Sequence, residues 1–202
     1  MQGASIAIDD LACRRGDRLL FRGVSLRLED GEALQVTGSN GIGKSSLLRI
    51  VAGLAPAYAG RVATSGSIGL VDERPALDPG QTLGAALAFW RRIDASPDDG
   101  NRPGGAQAEH LTRLGLAGLL DVPVRYLSTG QKKRAALVRL LGQKAAIWLL
   151  DEPLNGLDTH AAALTETLAA EHCAAGGIAV IASHQPFALP GMRGLALAEY
   201  AA

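Results

Sequence analysis

Apolar residues recur along this chain with two periods. Val24, Leu26 and Leu28 alternate with Ser25 and Arg27, the pattern of a half-buried strand that ends at the Asp30-Gly31 turn. Ala33 to Thr37 predicts a short strand running into a glycine-rich turn. From Lys44 the spacing becomes helical, with Leu47, Leu48 and Val51 on one side and Gly53 as the natural stop. Ile68 to Val71 predicts a further strand.

From about Pro75 the character changes. Thr82 to Arg91 reads as helical, Ala95 to Gly105 as a polar loop rich in Pro, Gly and Asp, and Ala106 to Leu120 as helical again, interrupted by glycines. Leu83, Leu87 and Trp90 suit either core packing or a docking face. Strand and helix then alternate once more. AAIWLLDEP is a buried strand closing on two acids, Asp158 can cap a helix reaching about Ala174, and Ile178 to Ala182 is another apolar strand. Two near-continuous apolar strands around a helix predict a parallel sheet covered on both faces. The fold class expected is therefore α/β, with strand-rich regions about 1–74 and 141–202 and a helical lobe about 75–140 inserted between them, all in one domain.

Composition narrows what such a domain can do. Of 202 residues, 48% are hydrophobic but only 4% aromatic, so the core must be built from Leu, Ala, Val and Ile. Twenty basic and twenty acidic residues cancel, which leaves no global field to attract nucleic acid or anionic lipid. Cys13 and Cys173 stand far apart in sequence, outside any CxxC pairing, and suggest a reducing cytoplasm without a disulfide framework. MQGASIAIDD lacks the basic-then-apolar pattern of a secretion signal. The strongest apolar run, Ala145 to Leu150, is too short to cross a bilayer, so membrane contact is expected only through a partner.

The chemistry lies in GSNGIGKS, residues 38–45, which matches G-x-x-x-x-G-K-[ST] between a strand and a helix. Gly38, Gly41 and Gly43 let successive N–H groups curl toward phosphate oxygens, and Ser39, Asn40 and Ile42 fill out the loop. The helix start adds its positive end, Lys44 a mobile point charge, and Ser45 a hydroxyl suited to Mg²⁺, with Ser46 following. A nucleoside triphosphate is the expected ligand. A second hard oxygen for the metal is expected from Asp151 at the end of IWLLD. Glu152 comes next, placed to polarise an attacking water.

A shorter set of phosphate-gripping groups stands at Leu127-Ser128-Thr129-Gly130-Gln131, where Ser128 can cap a helix and Gly130 and Gln131 occupy its first turn. Here the chain resembles the ATP-binding cassette family, whose signature is LSGGQ, with Thr129 in place of the middle glycine. The resemblance implies two subunits paired head to tail, each signature capping the γ-phosphate held by the other. It further implies that LNGLD, residues 154–158, passes between the two sites, and that His184 of IASHQP contacts the γ-phosphate as a catalytic residue beside Glu152.

The match covers nearly the whole chain and is closest to the small ATPase subunits of the haem exporters of cytochrome c maturation, on the strength of QVTGSNG and SHQP. That resemblance implies a homodimer on an integral membrane permease at the cytoplasmic face of the inner membrane. Hydrolysis there would power release of a haem-loaded chaperone. The alternatives are an exporter ATPase for another substrate and a soluble, non-transport cassette ATPase; a P-loop kinase or GTPase would leave the signature helix and His184 unexplained. Two stretches depart from the family pattern. Leu11 to Arg15 carries no ring to stack on adenine, where an arginine plane can substitute, and Glu73 or Arg74 stands where a glutamine normally opens the helical lobe.

Overall fold

The computed structural model describes residues 3–94 and 105–201. Residues 95–104, most of the expected polar loop, lie outside the described residues. The described residues group into two compact units: 1–73 with 145–154 and 165–202, and 74–144 with 155–164.

The first unit contains two sheets. Strands β1 (Ser5–Arg15), β2 (Arg18–Glu29) and β4 (Ala59–Ser65) form an antiparallel sheet in the order β2-β1-β4. β3 (Ala33–Thr37), β5 (Ile68–Val71), β6 (Ile147–Asp151), β7 (Ile178–Ala182) and β8 (Arg193–Ala196) form the other, in the order β5-β6-β7-β3-β8, and every pairing in it is parallel. β6 and β7 are buried at every position, as expected of interior strands in a sheet covered on both faces. Helix α1 (Lys44–Val51) follows β3 and buries Leu47, Leu48, Ile50 and Val51 in the same apolar cluster as Leu11, Phe21 and Leu28 of the antiparallel sheet. Each such fully buried side chain contributes roughly 1.5–3 kcal/mol of transfer free energy. One core thus serves both sheets. The expected stop at Gly53 is a two-bond cap, Gly53 N–H to Ile50 O and Leu54 N–H to Arg49 O.

The second unit holds α2 (Leu83–Asp94), α3 (Gly105–Arg113) and α4 (Thr129–Gln143). Leu83 and Leu87 are buried, which settles them as core; Trp90 is half-buried, its indole N–H donated to Ala76 O and its ring covered by the Arg139 guanidinium at 3.4 Å. Arg139 also pairs with Asp94 at 3.1 Å, tying α4 to the end of α2.

The helix expected over Ala106–Leu120 is shorter in the structure. α3 stops at Arg113, because Gly115 turns left-handed at φ +64° and the Leu116 N–H returns to Leu111 O. Only a single 3₁₀ turn, Ala117–Leu119, follows. Leu114 and Leu116 carry the apolar pattern past the stop because both are buried without being helical.

Helix α5 (Thr159–Ala174) begins as expected, with Ala161 N–H donating to Asp158 Oδ1 at 2.8 Å. Among the described residues no helix is long and apolar enough to cross a membrane.

Candidate active site

Because β6, β7 and β3 are adjacent and parallel, their carboxyl ends open on the same edge of the sheet. The chain leaves that edge three times: through the loop 38–43 after β3, through Asp151-Glu152 after β6, and through Ser183-His184 after β7. Residues far apart in sequence are thereby delivered to one place, the crevice position where open α/β sheets hold ligands.

The loop after β3 is shaped by Gly43. Its φ is +119°, and a Cβ there would lie 2.9 Å from the Phe21 ring, so both backbone and space demand glycine. Gly43 caps α1 and, as a glycine, brings no side chain of its own to the donors of the first turn. Lys44 is only 6% exposed. Its ammonium donates to Gly38 O at 2.8 Å and lies 3.5 Å from both Ser39 O and Glu152 Oε1.

Glu152 follows β6 in the left-handed region, φ 46°, a conformation that costs a non-glycine residue about 1 kcal/mol or more. Its N–H donates to Ala182 O at 2.7 Å, which fixes the turn against β7. The carboxylate then meets the chain leaving β7: Oε2 lies 2.8 Å from His184 Nδ1 and accepts from the His184 N–H at 3.4 Å. Lys44, Glu152 and His184 therefore form a continuous polar cluster. A carboxylate held between an ammonium and an imidazole is oriented, and its ring partner can exchange a proton with it. Asp151, one residue earlier, is buried at 3% exposure.

In the second unit the signature groups are arranged differently. Ser128 Oγ accepts from the Gln131 N–H at 3.1 Å, and Gln131 Oε1 accepts from the Ser128 N–H at 2.8 Å, a reciprocal capping box at the start of α4. Gly130 lies flat against the loop 155–158, where a Cβ would sit 2.5 Å from Gly156 O. The Thr129 methyl comes within 3.1 Å of the Cβ position of Gly156, so the departure from glycine at 129 is absorbed by that loop.

Sequence reasoning missed three contacts. Cys13 is buried in β1 with its thiol hydrogen-bonded to Ser46; burial pushes the thiol pKa up and the hydrogen bond offsets part of that rise. The Arg14 guanidinium, a candidate base platform, lies 4.7 Å from the Tyr58 ring centroid. Arg49 of α1 pairs with Asp72 at 2.8 Å, immediately before Glu73 and Arg74. The first follows from α1 packing against β1 and the second from the pairing of β1 with β4, and no local pattern reveals either. The third joins a helix to a strand end 23 residues further along and leaves no local signal.

The similarity to known proteins agrees with this geometry. The family model described as ABC transporter matches residues 21–155. The cytochrome c biogenesis ATP-binding export protein CcmA of Novosphingobium aromaticivorans is 53% identical, over 99% of both chains. The protein of the same name from Sphingopyxis alaskensis is 48% identical over 93% of each chain, and that of Zymomonas mobilis 43% over 98% of this chain and 87% of its own. A solved inward-facing ABC transporter superposes with a TM-score of 0.75 at 22% identity, covering 92% of this chain and 75% of its own, a likeness of fold. A glycine loop, an acid pair and a histidine on three adjacent parallel strands, with these relatives along the full length, make the chain a member of the ABC transporter family of ATPases, in the group of cytochrome c biogenesis ATP-binding export proteins.

Proposed function

We propose that this chain is the ATP-hydrolysing subunit of an export complex at the cytoplasmic face of the inner membrane, serving cytochrome c maturation through haem handling. The observation that carries the ATPase reading is the cluster in which one carboxylate, Glu152, reaches both the loop lysine at 3.5 Å and His184 at 2.8 Å. The exporter assignment is supported by the names of relatives that match the chain end to end.

The loop backbone from Gly38 to Gly43, with Ser39, Asn40 and Ile42, cradles the phosphates of ATP, and Lys44 moves its charge from Gly38 O to their oxygens. Ser45 and Ser46 add hydroxyls from the first turn of α1. Glu152 accepts a proton from the attacking water, and His184 orients the carboxylate through Nδ1. Ser128 spends its lone pair on the cap of α4, so its hydroxyl hydrogen remains for a phosphate oxygen. In this reading that phosphate belongs to a second copy, paired head to tail, with Gly130 and Gln131 beside it.

Mg²⁺ fits the donor set: the Ser45 hydroxyl and the Asp151 carboxylate are hard oxygens. Among the described residues no three His, Cys, Asp or Glu groups form a closed cage. That is the pattern for an ion that completes its shell with phosphates and water. When bound, it neutralises charge on the phosphates. The permease partner and the homodimer belong to the same proposal, supported by the family of the relatives, and the absence of a nucleic-acid role is supported by the balanced charge.

Co-purification from membranes tests it. Glu152→Gln is expected to retain ATP, trap a dimer and fail to restore cytochrome c maturation in cells lacking the protein. A monomer with normal turnover contradicts the ATPase reading, and full restoration of maturation by that variant contradicts the exporter reading.

A further inference from the structure

Asp72 is the first residue beyond β5, and Asp151 is the last of β6. The two strands are parallel, with Val71 opposite Leu150, so the next position on each brings these two carboxylates to neighbouring strand ends, about 5 Å apart in backbone spacing. Asp72 does not stand alone there. Its Oδ2 accepts from Arg49 Nη2 at 2.8 Å, and its Oδ1 accepts from the Glu73 N–H at 2.8 Å, so both oxygens are engaged. Arg49 projects from the last turn of α1, the helix whose first turn carries Lys44 and Ser45. The Asp72 hydrogen bond, and then its charge, raise the Arg49 pKa above its ordinary value, with smaller contributions from Asp151 and Glu73. The guanidinium thus lies within electrostatic reach of three carboxylates and is hydrogen-bonded to one, Asp72.

The geometry points to Arg49 and Asp72 as positioning residues for the metal carboxylate: Asp72 holds the guanidinium to itself, and so keeps Arg49 from competing with a divalent cation for Asp151. This rests on the proposed role of Asp151 with Mg²⁺. The pair is half-exposed, with side chains 46% and 28% accessible, so the account depends on where the charge goes rather than on a large ion-pair energy. Asp72→Asn leaves Arg49 without its carboxylate partner, and of the two carboxylates still within its reach, Asp151 and Glu73, Asp151 acts on it more strongly. Removing Arg49 as well removes the competitor. The two substitutions are therefore expected to act asymmetrically, D72N weakening the metal site and R49Q not, whereas a purely structural salt bridge is broken equally from either side.

The test is Mg²⁺ titration of the binding of a fluorescent ATP analogue to the full chain at constant ionic strength, a readout independent of turnover. D72N is expected to raise the Mg²⁺ midpoint about three- to tenfold, the scale of a unit charge changing partner at a water-accessible site. D72E is expected to keep the wild-type midpoint, and R49Q to leave it at the wild-type value or below. The R49Q/D72N double variant is expected to return to the R49Q value. A D72N midpoint equal to wild type, a double variant as weak as D72N, or a raised midpoint in R49Q overturns the inference. If D72N does not fold, the R49Q arm still decides. D151N separates the two layers: if it leaves the Mg²⁺ dependence intact, the assignment of Asp151 has failed; if it abolishes that dependence while D72N does not shift it, only the role of Arg49 and Asp72 has failed.

Discussion

The two regions of this chain proposed to meet phosphate are built on opposite plans. In the first unit, the functional groups are brought in from three separate strands and contact one another: Lys44, Glu152 and His184 share one carboxylate. In the second, Ser128, Gly130 and Gln131 are neighbours in sequence at one helix start, and they are fixed by a capping box and by the pressure of Gly156 on Gly130. The contrast teaches that long-range topology makes the Lys44–Glu152–His184 cluster, whereas local backbone chemistry makes the signature. Mutations should therefore act chiefly on turnover in the first region, and on helix order as well as turnover in the second.

The largest effect is expected at the shared carboxylate. Glu152→Gln keeps the shape and removes the base, and should reduce steady-state ATP turnover by about 10²–10⁴-fold with little change in melting temperature. Gly130→Ala attacks the other plan. A methyl 2.5 Å from Gly156 O forces the loop or the helix start to shift, and should cost about 1–3 kcal/mol in denaturant unfolding while leaving ATP binding by the loop of the same subunit intact. If Gly130→Ala were as stable as the parent, the close packing attributed to this region would be wrong. Ser128→Ala removes one bond of the capping box and should cost about 1 kcal/mol of stability, read by the same unfolding curves.

The smallest effect concerns a group that belongs to neither plan. His172, near the end of α5, stacks on Trp148 with ring centroids 4.0 Å apart, and burial lowers its pKa, partly offset by hydrogen bonds to Ile178 and Ala146 carbonyls. A depressed histidine binds fewer protons folded than unfolded, so its contribution is constant above the unfolded pKa near 6.5 and becomes unfavourable as pH falls below it. Stability measured from pH 7.5 down to 5.5 should decline, and His172→Phe should decline less steeply. An identical slope in the two proteins would exclude this account of His172.

The same contrast explains what could be read from the residues alone. GSNGIGKS and the capping pattern of LSTGQ are contiguous, so their geometry is encoded locally and was legible. β6 and β7 were legible because burial on both faces leaves an unbroken apolar run. β4 was not, since Ala59–Ser65 is an edge strand that is largely exposed and lacks the alternation that marks a covered face. The helix after Gly105 was read too long because Leu114 and Leu116 keep apolar spacing for the sake of burial, not of helicity. The ambiguity at Leu83 and Leu87 was physical: core and interface select the same residue types, and only packing distinguishes them. Arg49 and Asp72 were invisible because a pairing 23 residues apart depends on which way α1 runs over the sheet.

The central claim is that each signature serves the opposite subunit's loop. It is tested by mixing two inactive variants, Lys44→Ala and Ser128→Arg, and measuring single-turnover ATP hydrolysis in the mixed assembly. Under the head-to-tail arrangement both defects fall on one site of the mixed dimer and the other site is intact, so hydrolysis returns. If each signature instead completes its own subunit's site, both sites carry a defect and the mixture stays as inactive as its components.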